Sequence, residues 1–172
     1  MTGSALASYR LHVIAPTVAD AVQHAGGWLF DHVMAGWKVT VALADPVGAE
    51  ALQILGAAVA ALDSGVLEES PRALAVSAEL YTGDPRVRRL VRDAADHPDV
   101  EVLLWEAFAA AAEYGVVRYR LGAAARAFKT EALVAAGGGG TSVPLAETFR
   151  TVAAQRVAPY AGLATADALS QG

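Results

Sequence analysis

Cysteine is absent from the 172-residue sequence. Its absence excludes disulfides, thiolate metal sites and a cysteine nucleophile, and it agrees with a reducing compartment. A chain of this length buries roughly two-thirds of its unfolded surface, so it needs neither a disulfide nor a metal to fold. We therefore expect a cytoplasmic protein with one main domain.

A membrane-spanning segment is also lacking, although 55% of the residues are hydrophobic. The longest strongly apolar run, residues 51–62, contains Gln53 and Gly56 and is too short for a bilayer core of about 30 Å. Residues 1–8 contain no basic side chain and precede no apolar segment of the kind found in signal peptides. Because much of the apolar content is alanine, we expect no contact with a membrane.

The chain has no continuous basic surface in its sequence pattern. Its net charge is −5, and residues 1–80 carry three basic and eight acidic side chains. Two later groups of basic residues are best explained as solvated helix faces, with an acidic partner or phosphate groups as the alternative. These groups are Arg86, Arg88, Arg89 and Arg92, and Arg118, Arg120, Arg126 and Lys129. Nucleic acid is not expected as a partner.

Complete catalytic motifs are missing as well. No serine lies in a G-x-S-x-G sequence, and no pair of histidines has the HExxH spacing. The turn after the first predicted strand contains Pro16 and Thr17 instead of glycines, and Asp20 adds a negative charge, which disfavours a phosphate or dinucleotide site. Gly137–Gly140 follows a predicted helix and lacks the lysine of a P-loop. We therefore predict no cofactor.

What the sequence does contain is a strand–helix–strand unit over residues 9–44. Tyr9–Ala15 and Lys38–Ala44 have the apolar composition of buried strands. Between them, apolar residues recur at helical spacing, and Thr17 with Asp20 predicts a cap at the helix start. A helix of this length returns the chain along the sheet, so the two strands should be parallel.

Further elements extend this unit into an α/β domain. Asp45 and Pro46 predict a helix that runs to about Leu62, and 72–78 and 100–105 predict strands on either side of a helix over 85–95. Val116–Leu121 fits either a fifth strand or part of a helix, and its alanine-rich flanks favour the helix. The predicted fold is a three-layer α/β domain over residues 1–136, with a mainly parallel four- or five-stranded sheet of Rossmann-like topology.

The last residues predict a separate appendage. Gly137–Gly140 is typical of a flexible linker, and residues 137–172 form a C-terminal tail. Within it, Leu145, Phe149 and Val152 align on one face of a predicted amphipathic helix over 144–157. We expect this face to bind a protein partner or a groove of the protein itself.

A ligand site is predicted at the carboxyl ends of the parallel strands, where open α/β sheets bind their ligands. The candidate residues are Thr17, Asp45, Glu79, Tyr81, Trp105 and Glu106. Three of them are carboxylates that could together hold Mg²⁺. Helix capping and a first-turn acid explain Asp45 and Glu106 better, and His24 and His32 read as neutral core or surface residues, so no metal site is predicted.

Two functions follow from these observations, and the sequence favours the first. It is a non-catalytic interaction or regulatory protein that self-associates or captures a partner through the tail helix, because no catalytic constellation is complete. The alternative is a small-molecule or Mg²⁺-dependent binding protein or enzyme that uses the strand ends. Whether the chain is an enzyme is therefore left open by its sequence.

Overall fold

The computed structural model describes residues 9–65, 67, 69–106, 115–138, 142–152 and 163–165. Strands and helices alternate along the first two-thirds of the chain, as in α/β proteins. In chain order the elements are β1 (Arg10–Ala15), α1 (Val18–Met34), β2 (Lys38–Leu43), α2 (Glu50–Ile54), β3 (Ala58–Ala61), β4 (Ala73–Ser77), α3 (Ala78–Gly83), α4 (Pro85–Ala95), β5 (Glu101–Trp105), β6 (Val116–Arg120), α5 (Ala123–Ala135), β7 (Ala146–Thr151) and β8 (Leu163–Thr165).

The strands form one mixed sheet in the order β3-β2-β1-β4-β5-β7-β6-β8. The first five strands in that order pair in parallel. From β5 onward every pairing is antiparallel. The predicted α/β class is therefore confirmed. The predicted sheet was mainly parallel with four or five strands, whereas the observed sheet is mixed and has eight strands.

Helices cover the sheet on both faces. On one face α1 packs against α5 and the parallel strands, and the core there is centred on Trp28, Leu29 and Trp105. On the other face α4 packs through Val87 and Val91 onto the side chains of β1, β4 and β5 that point away from α1. The central parallel strands β1, β4 and β5 are thus buried from both sides, which explains their nearly continuous apolar sequences.

The helix predicted from Pro46 to Leu62 is in fact a turn, the short helix α2 and the strand β3. Asp45 accepts a hydrogen bond from the backbone N–H of Val47 at 3.1 Å, so it caps a turn and not the helix, which begins at Glu50. Gly56 ends α2 in the left-handed region at φ +81°. The chain then continues as β3, paired in parallel with β2.

Two further predicted helices are strands. Val116–Arg120 alternates between buried and exposed positions and pairs with β7, so the preference for a helix at 116–121 was wrong. The predicted tail helix was also wrong, because Ala146–Thr151 is strand β7 inside the sheet. Phe149 is buried in the core on the α1 face, and Val152 packs against the core on the α4 face. Leu145 is exposed, so these three residues do not form one docking face.

Strand β7 places residues beyond 137 in the same sheet as the parallel strands. The predicted boundary between 1–136 and 137–172 therefore divides strands that are hydrogen-bonded to each other. Residues 107–114, the alanine-rich flank that precedes β6, lie outside the described residues, and so does most of the chain after Val152. Within the described part, no helix is long and apolar enough to cross a membrane.

A buried ion pair connects three elements of the α1 face. Lys129 of α5 donates from Nζ to Glu147 Oε2 of β7 at 2.7 Å, and the two side chains are 0% and 1% exposed. Glu147 also accepts the backbone N–H groups of Gly27 and Trp28 at 2.9 and 2.7 Å. Lys129 in turn donates to the carbonyl of Gln23 at 2.6 Å. The side chains of Lys129 and Glu147 thus both hydrogen-bond to backbone groups of α1 between Gln23 and Trp28.

Gly27 allows Leu121 to lie close to the backbone of α1. A Cβ atom at Gly27 would lie 2.2 Å from Cδ2 of Leu121, which is closer than any real contact. The glycine costs α1 about 1 kcal/mol of helix propensity relative to alanine. In return, it lets the segment between β6 and α5 pack directly on the helix backbone.

Removing one member of the ion pair should be strongly destabilising. Lys129→Met leaves a buried carboxylate without its counter-charge, and we expect the free energy of unfolding in urea to fall by about 3–5 kcal/mol. The double variant Lys129→Met/Glu147→Gln removes that charge as well and should recover part of the loss. Lys38→Met, at an exposed position on β2, is the control and should change stability by less than about 0.5 kcal/mol. An equally small effect of Lys129→Met would contradict this account.

Glu101 should make stability depend on pH. Burial raises its pKa to about 7, and its Oε2 has no hydrogen-bond partner in the described part of the chain. The unfolded form ionises near its ordinary pKa of 4.5 while the folded form stays protonated, so the folded state loses stability as the pH rises from about 4.5 to about 7.

The variant Glu101→Gln should therefore gain stability relative to the unsubstituted protein at pH 8, by up to about 3 kcal/mol, and differ little at pH 4. Urea denaturation at the two pH values measures this. If Glu101→Gln changes the free energy of unfolding by the same amount at pH 4 and pH 8, the pKa of Glu101 is not raised by folding.

Candidate active site

A group of polar side chains lies where the first turns of α1 meet the end of β5. Thr17 precedes α1 and accepts the backbone N–H of Asp20 through Oγ1 at 3.1 Å, so the helix begins where the sequence predicts. Asp20 and His24, one turn apart, point to the same side of α1. The end of β5 adds Trp105 and Glu106. All four lie at the carboxyl edge of the parallel strands.

Asp20 is held from two directions. Trp105 donates from its indole Nε1 to Asp20 Oδ2 at 3.0 Å. The other carboxylate oxygen, Oδ1, is 3.1 Å from Nδ1 of His24. Trp105 is itself fully buried in the core, so the carboxylate is fixed to the rigid centre of the sheet.

His24 is oriented by Asp20 and by Trp105. Its Nδ1 lies 3.1 Å from the backbone carbonyl of Asp20 as well as from the carboxylate, and its ring stacks on Trp105 at a centroid distance of 6.2 Å. Both neighbours of Nδ1 are acceptors, which assigns the proton to Nδ1 and leaves the lone pair on Nε2. Nε2 faces Glu106, whose Oε1 is 3.6 Å away.

Glu106 reaches this position through an unusual backbone conformation. Its φ of +62° is the only positive value for a non-glycine residue in the described ranges. A left-handed conformation costs a residue with a side chain on the order of 1–2 kcal/mol. The strand alternation that places Trp105 toward α1 would turn Glu106 to the opposite face. The break at Glu106 ends the strand and its carboxylate instead faces His24.

The charges of the three groups depend on one another. Burial raises the pKa of Asp20, but hydrogen bonds from His24 and Trp105 outweigh this and lower it overall. Burial lowers the pKa of His24, while Asp20 and Glu106 raise it above its ordinary value. The pKa of Glu106 is raised by burial and by the nearby Asp20 charge. An imidazole between two carboxylates is therefore stabilised in its charged form, and a cation would be stabilised in the same place.

This donor set fits a divalent metal ion. One ligand atom from each of Asp20, His24 and Glu106 can be chosen so that all lie within 4.8 Å of one another. Two ligands bound at about 2.1 Å in a tetrahedral site are roughly 3.4 Å apart, close to the 3.6 Å between His24 Nε2 and Glu106 Oε1. Two carboxylates and one imidazole are donors of the kinds found in catalytic zinc sites.

A cavity of about 440 Å³ opens beside this group and includes His24 and Glu106 in its wall. Further lining residues come from α5, from the segment before β7 and from β7 itself: Lys129, Ser142, Glu147, Thr148 and Arg150. A second cavity of about 540 Å³ lies against α4, and no member of the Asp20–His24–Glu106 group lines it. The chemistry and the first cavity therefore coincide, which makes this edge the candidate site.

The predicted site residues have mixed outcomes. Trp105 and Glu106 belong to the site directly, and Thr17 supports it by capping α1. Glu79, exposed in the first turn of α3, is close enough to raise the pKa of Glu106. Tyr81 packs against the core on the α4 face of the sheet.

Sequence reasoning missed Asp20 and His24. The first was assigned to helix capping and the second to a neutral core or surface role. Their spacing of four residues in the first turns of a helix that follows a strand was the available signal. The partner, Glu106, is 82 residues beyond His24 in the chain, and only the sheet brings it to them.

The chain was compared with known proteins. No protein-family model matches it, and no curated protein does so either. Solved structures do match. The A40926 pseudoaglycone deacetylase Dbv21 is 17% identical, with 88% of this chain and 99% of that chain covered and a TM-score of 0.57.

Two further structures match to a similar degree. The zinc-inhibited form of the teicoplanin deacetylase Orf2 is 15% identical, covers 92% of this chain and 99% of its own, and has a TM-score of 0.56. The conserved protein TT1542 from Thermus thermophilus is 17% identical, with coverages of 87% and 96% and a TM-score of 0.56. The chain has the fold of these proteins.

The similarity corrects the favoured prediction. A non-catalytic interaction or regulatory protein does not agree with a fold whose solved examples include several deacetylases. The predicted docking helix, the main support for a protein-interaction role, is strand β7. The alternative, an enzyme or small-molecule protein with its site at the strand ends, agrees better with both findings. A protein partner or self-association stays a prediction.

The strain at Glu106 yields a test of its role. Glu106→Gly removes the left-handed penalty and one carboxylate from an acidic group, so the free energy of unfolding should rise by roughly 0.5–1 kcal/mol. Glu79→Gly, in the exposed first turn of α3, is the matched control and should lower stability by about as much. A loss of stability in Glu106→Gly would show that the Glu106 side chain stabilises the fold. Its left-handed backbone conformation would then not be a cost that serves the candidate site.

Proposed function

We propose that the protein is a hydrolase that removes an acyl group from an amide nitrogen of a small molecule. The observation that carries this proposal is the Asp20–His24–Glu106 group beside a cavity at the carboxyl edge of the parallel strands. The fold supports it, because deacetylases are among the solved proteins that share the fold. The specific reaction is inferred from these neighbours and from the donor chemistry of the site.

Asp20, His24 and Glu106 would hold a divalent cation. When bound, such a cation polarises the scissile carbonyl and lowers the pKa of water. The overall reaction balances simply: water supplies a hydroxyl group to the acyl carbon and a proton to the nitrogen, the C–N bond breaks, and a carboxylic acid and an amine are formed.

The chain's own residues position this chemistry. Trp105 fixes Asp20 by an indole hydrogen bond, and Asp20 holds the Nδ1 proton of His24, so that Nε2 faces Glu106. Trp105 is fully buried and Asp20 is half-buried, which keeps the first turns of α1 rigid. Acid and amine can leave through the same open cavity.

The proposal is tested by acetate release from a panel of N-acetylated small molecules. Protein treated with a chelator is assayed alone and after addition of Mg²⁺, Mn²⁺, Co²⁺ or Zn²⁺, because zinc inhibits one protein of this fold. We expect hydrolysis that depends on one of these ions. His24→Gln should reduce kcat/KM by at least about 100-fold, since it removes the ligand nitrogen. His97→Gln, in the exposed turn after α4, should leave it unchanged.

Cation binding is measured separately by calorimetry on the same proteins. The unsubstituted protein and His97→Gln should bind one ion, and His24→Gln should bind it at least about tenfold more weakly. Hydrolysis that survives in His24→Gln, or that does not change when ions are removed, would overturn the proposed site.

A further inference from the structure

Strand β3 is the first strand in the order of the sheet and pairs only with β2. Ala58 and Ala61 at its two ends are exposed, and Val59 and Ala60 between them are half-buried. The outer side of β3 is therefore accessible from solvent. An edge strand of this kind presents backbone N–H and C=O groups to which another strand can bond.

The outward backbone groups of β3 belong to alternate residues. Leu62, just after β3, donates its N–H to the carbonyl of Leu43 on β2 at 3.1 Å. Alternate residues of a parallel strand bond to the same neighbour, so Ala60 also faces β2. Val59 and Ala61 lie between these positions and direct their backbone groups outward.

Some of the outward groups are already bonded within the protein. The carbonyl of Ala61 accepts the N–H and the hydroxyl of Ser64 at 3.1 and 2.8 Å. The N–H of Ala57 donates to the carbonyl of Leu52 at 3.1 Å. In the part of the chain that the structure describes, four outward groups have no partner: the N–H and C=O of Val59, the N–H of Ala61 and the C=O of Ala57.

These four groups are complementary to the same groups of a second copy. If two β3 strands lie antiparallel with Val59 opposite Val59, the two valines exchange two N–H···O bonds. The N–H of Ala61 in each copy then meets the C=O of Ala57 in the other. The remaining facing groups, the N–H of Ala57 and the C=O of Ala61, are those already bonded within each copy. A second copy thus supplies by symmetry what a strand of another protein would have to match.

The side chains around β3 do not oppose this pairing. Residues 56–62 include neither a charged residue nor a proline, which commonly protect edge strands from pairing. Ala58 of each copy would lie opposite Ala60 of the other, so only methyl groups meet there. Asp63 follows the strand and lies at opposite ends of the pairing in the two copies, which keeps like charges apart.

From these observations we propose that two copies of the chain associate through their β3 edges, related by a two-fold axis at Val59. Two-fold contacts between identical surfaces are the commonest kind in homo-oligomers. Because β3 has only four residues, the contact is small and the dimer is weak. The candidate site lies at the end of β5, beyond β2, β1 and β4 in the sheet, and stays open in the dimer. The proposal is independent of the proposed function.

Sedimentation equilibrium over a range of protein concentrations measures the association. We expect the average mass to rise from the 17.7 kDa of one chain toward twice that value. Val59→Pro removes the central outward N–H but no bond to β2, so it should keep the protein monomeric. A dimer that forms equally well in Val59→Pro would show that the chains meet elsewhere.

Opposite charges at Ala58 separate loss of pairing from a folding defect. The two copies of residue 58 lie diagonally across the proposed dimer, roughly 7–8 Å apart. Ala58→Lys and Ala58→Glu should each dimerise at least about tenfold more weakly, because like charges meet, and an equimolar mixture of the two should recover the dimer. Val47→Lys, at an exposed position outside β3, is the control and should dimerise normally. A mixture that stays monomeric would contradict the proposal.

Disulfide formation tests the register, since the chain has no cysteine of its own. Residues 58 and 60 face each other in a pair without mutual hydrogen bonds, where Cβ atoms come close enough for a disulfide. A mixture of Ala58→Cys and Ala60→Cys chains should therefore cross-link at least about tenfold faster than either variant by itself. Equal rates would show that the register is wrong.

Two further results would overturn the proposal. One is an unsubstituted protein that stays monomeric at every concentration, which would mean that the β3 edge is free. The other is a β3 edge that binds a strand of a different protein while the chain does not bind its own copy.

Discussion

The buried pair of Lys129 and Glu147 is the interaction on which the site depends. It bonds to α1 at Gln23, within the turn that carries Asp20 and His24, and at Gly27 and Trp28, just after that turn. Its members come from α5 and β7, so it fixes the helix relative to the antiparallel strands. Burial raises the pKa of Glu147, and Lys129 with the two N–H donors offsets part of that rise. A buried charge with this many partners specifies one arrangement of the three elements more than it adds stability.

The same pair belongs to the wall of the cavity beside the site. Glu147 holds the first half of β7 against α1 and α5, while the second half of β7 pairs with β5. Within the described residues, β7 pairs with β5 only at Leu103 and Leu104. Strand β7 thus joins the parallel and antiparallel parts of the sheet beside the cavity.

The parallel core could be predicted from sequence because its signals are local. Nearly continuous apolar strands, the Thr17 cap and the Asp84 cap before Pro85 are each visible within a few residues. Strand β7 could not be predicted in this way. Its inward positions are Glu147 and Phe149. From sequence alone a glutamate is expected at the surface, because the partners that stabilise its buried carboxylate are not visible. Those partners lie 18 and about 120 residues away along the chain.

The sequence named Trp105 and Glu106 at the carboxyl ends of the strands, and in the structure these two residues lie beside Asp20 and His24. Asp20 and His24 escaped notice because capping and burial each explain one of them adequately, and their common partner is supplied by tertiary structure. The left-handed backbone of Glu106 also has no signal in sequence, because glutamate is not a residue that favours it.

The most direct test of the account is a crystal structure of the protein grown with Zn²⁺ or Mn²⁺, with anomalous diffraction recorded at the metal's absorption edge. We expect one strong anomalous peak within coordination distance of His24 and of the carboxylates of Asp20 and Glu106, with Trp105 still bonded to Asp20. No peak at that position, with His24 Nε2 hydrogen-bonded directly to Glu106, would contradict it.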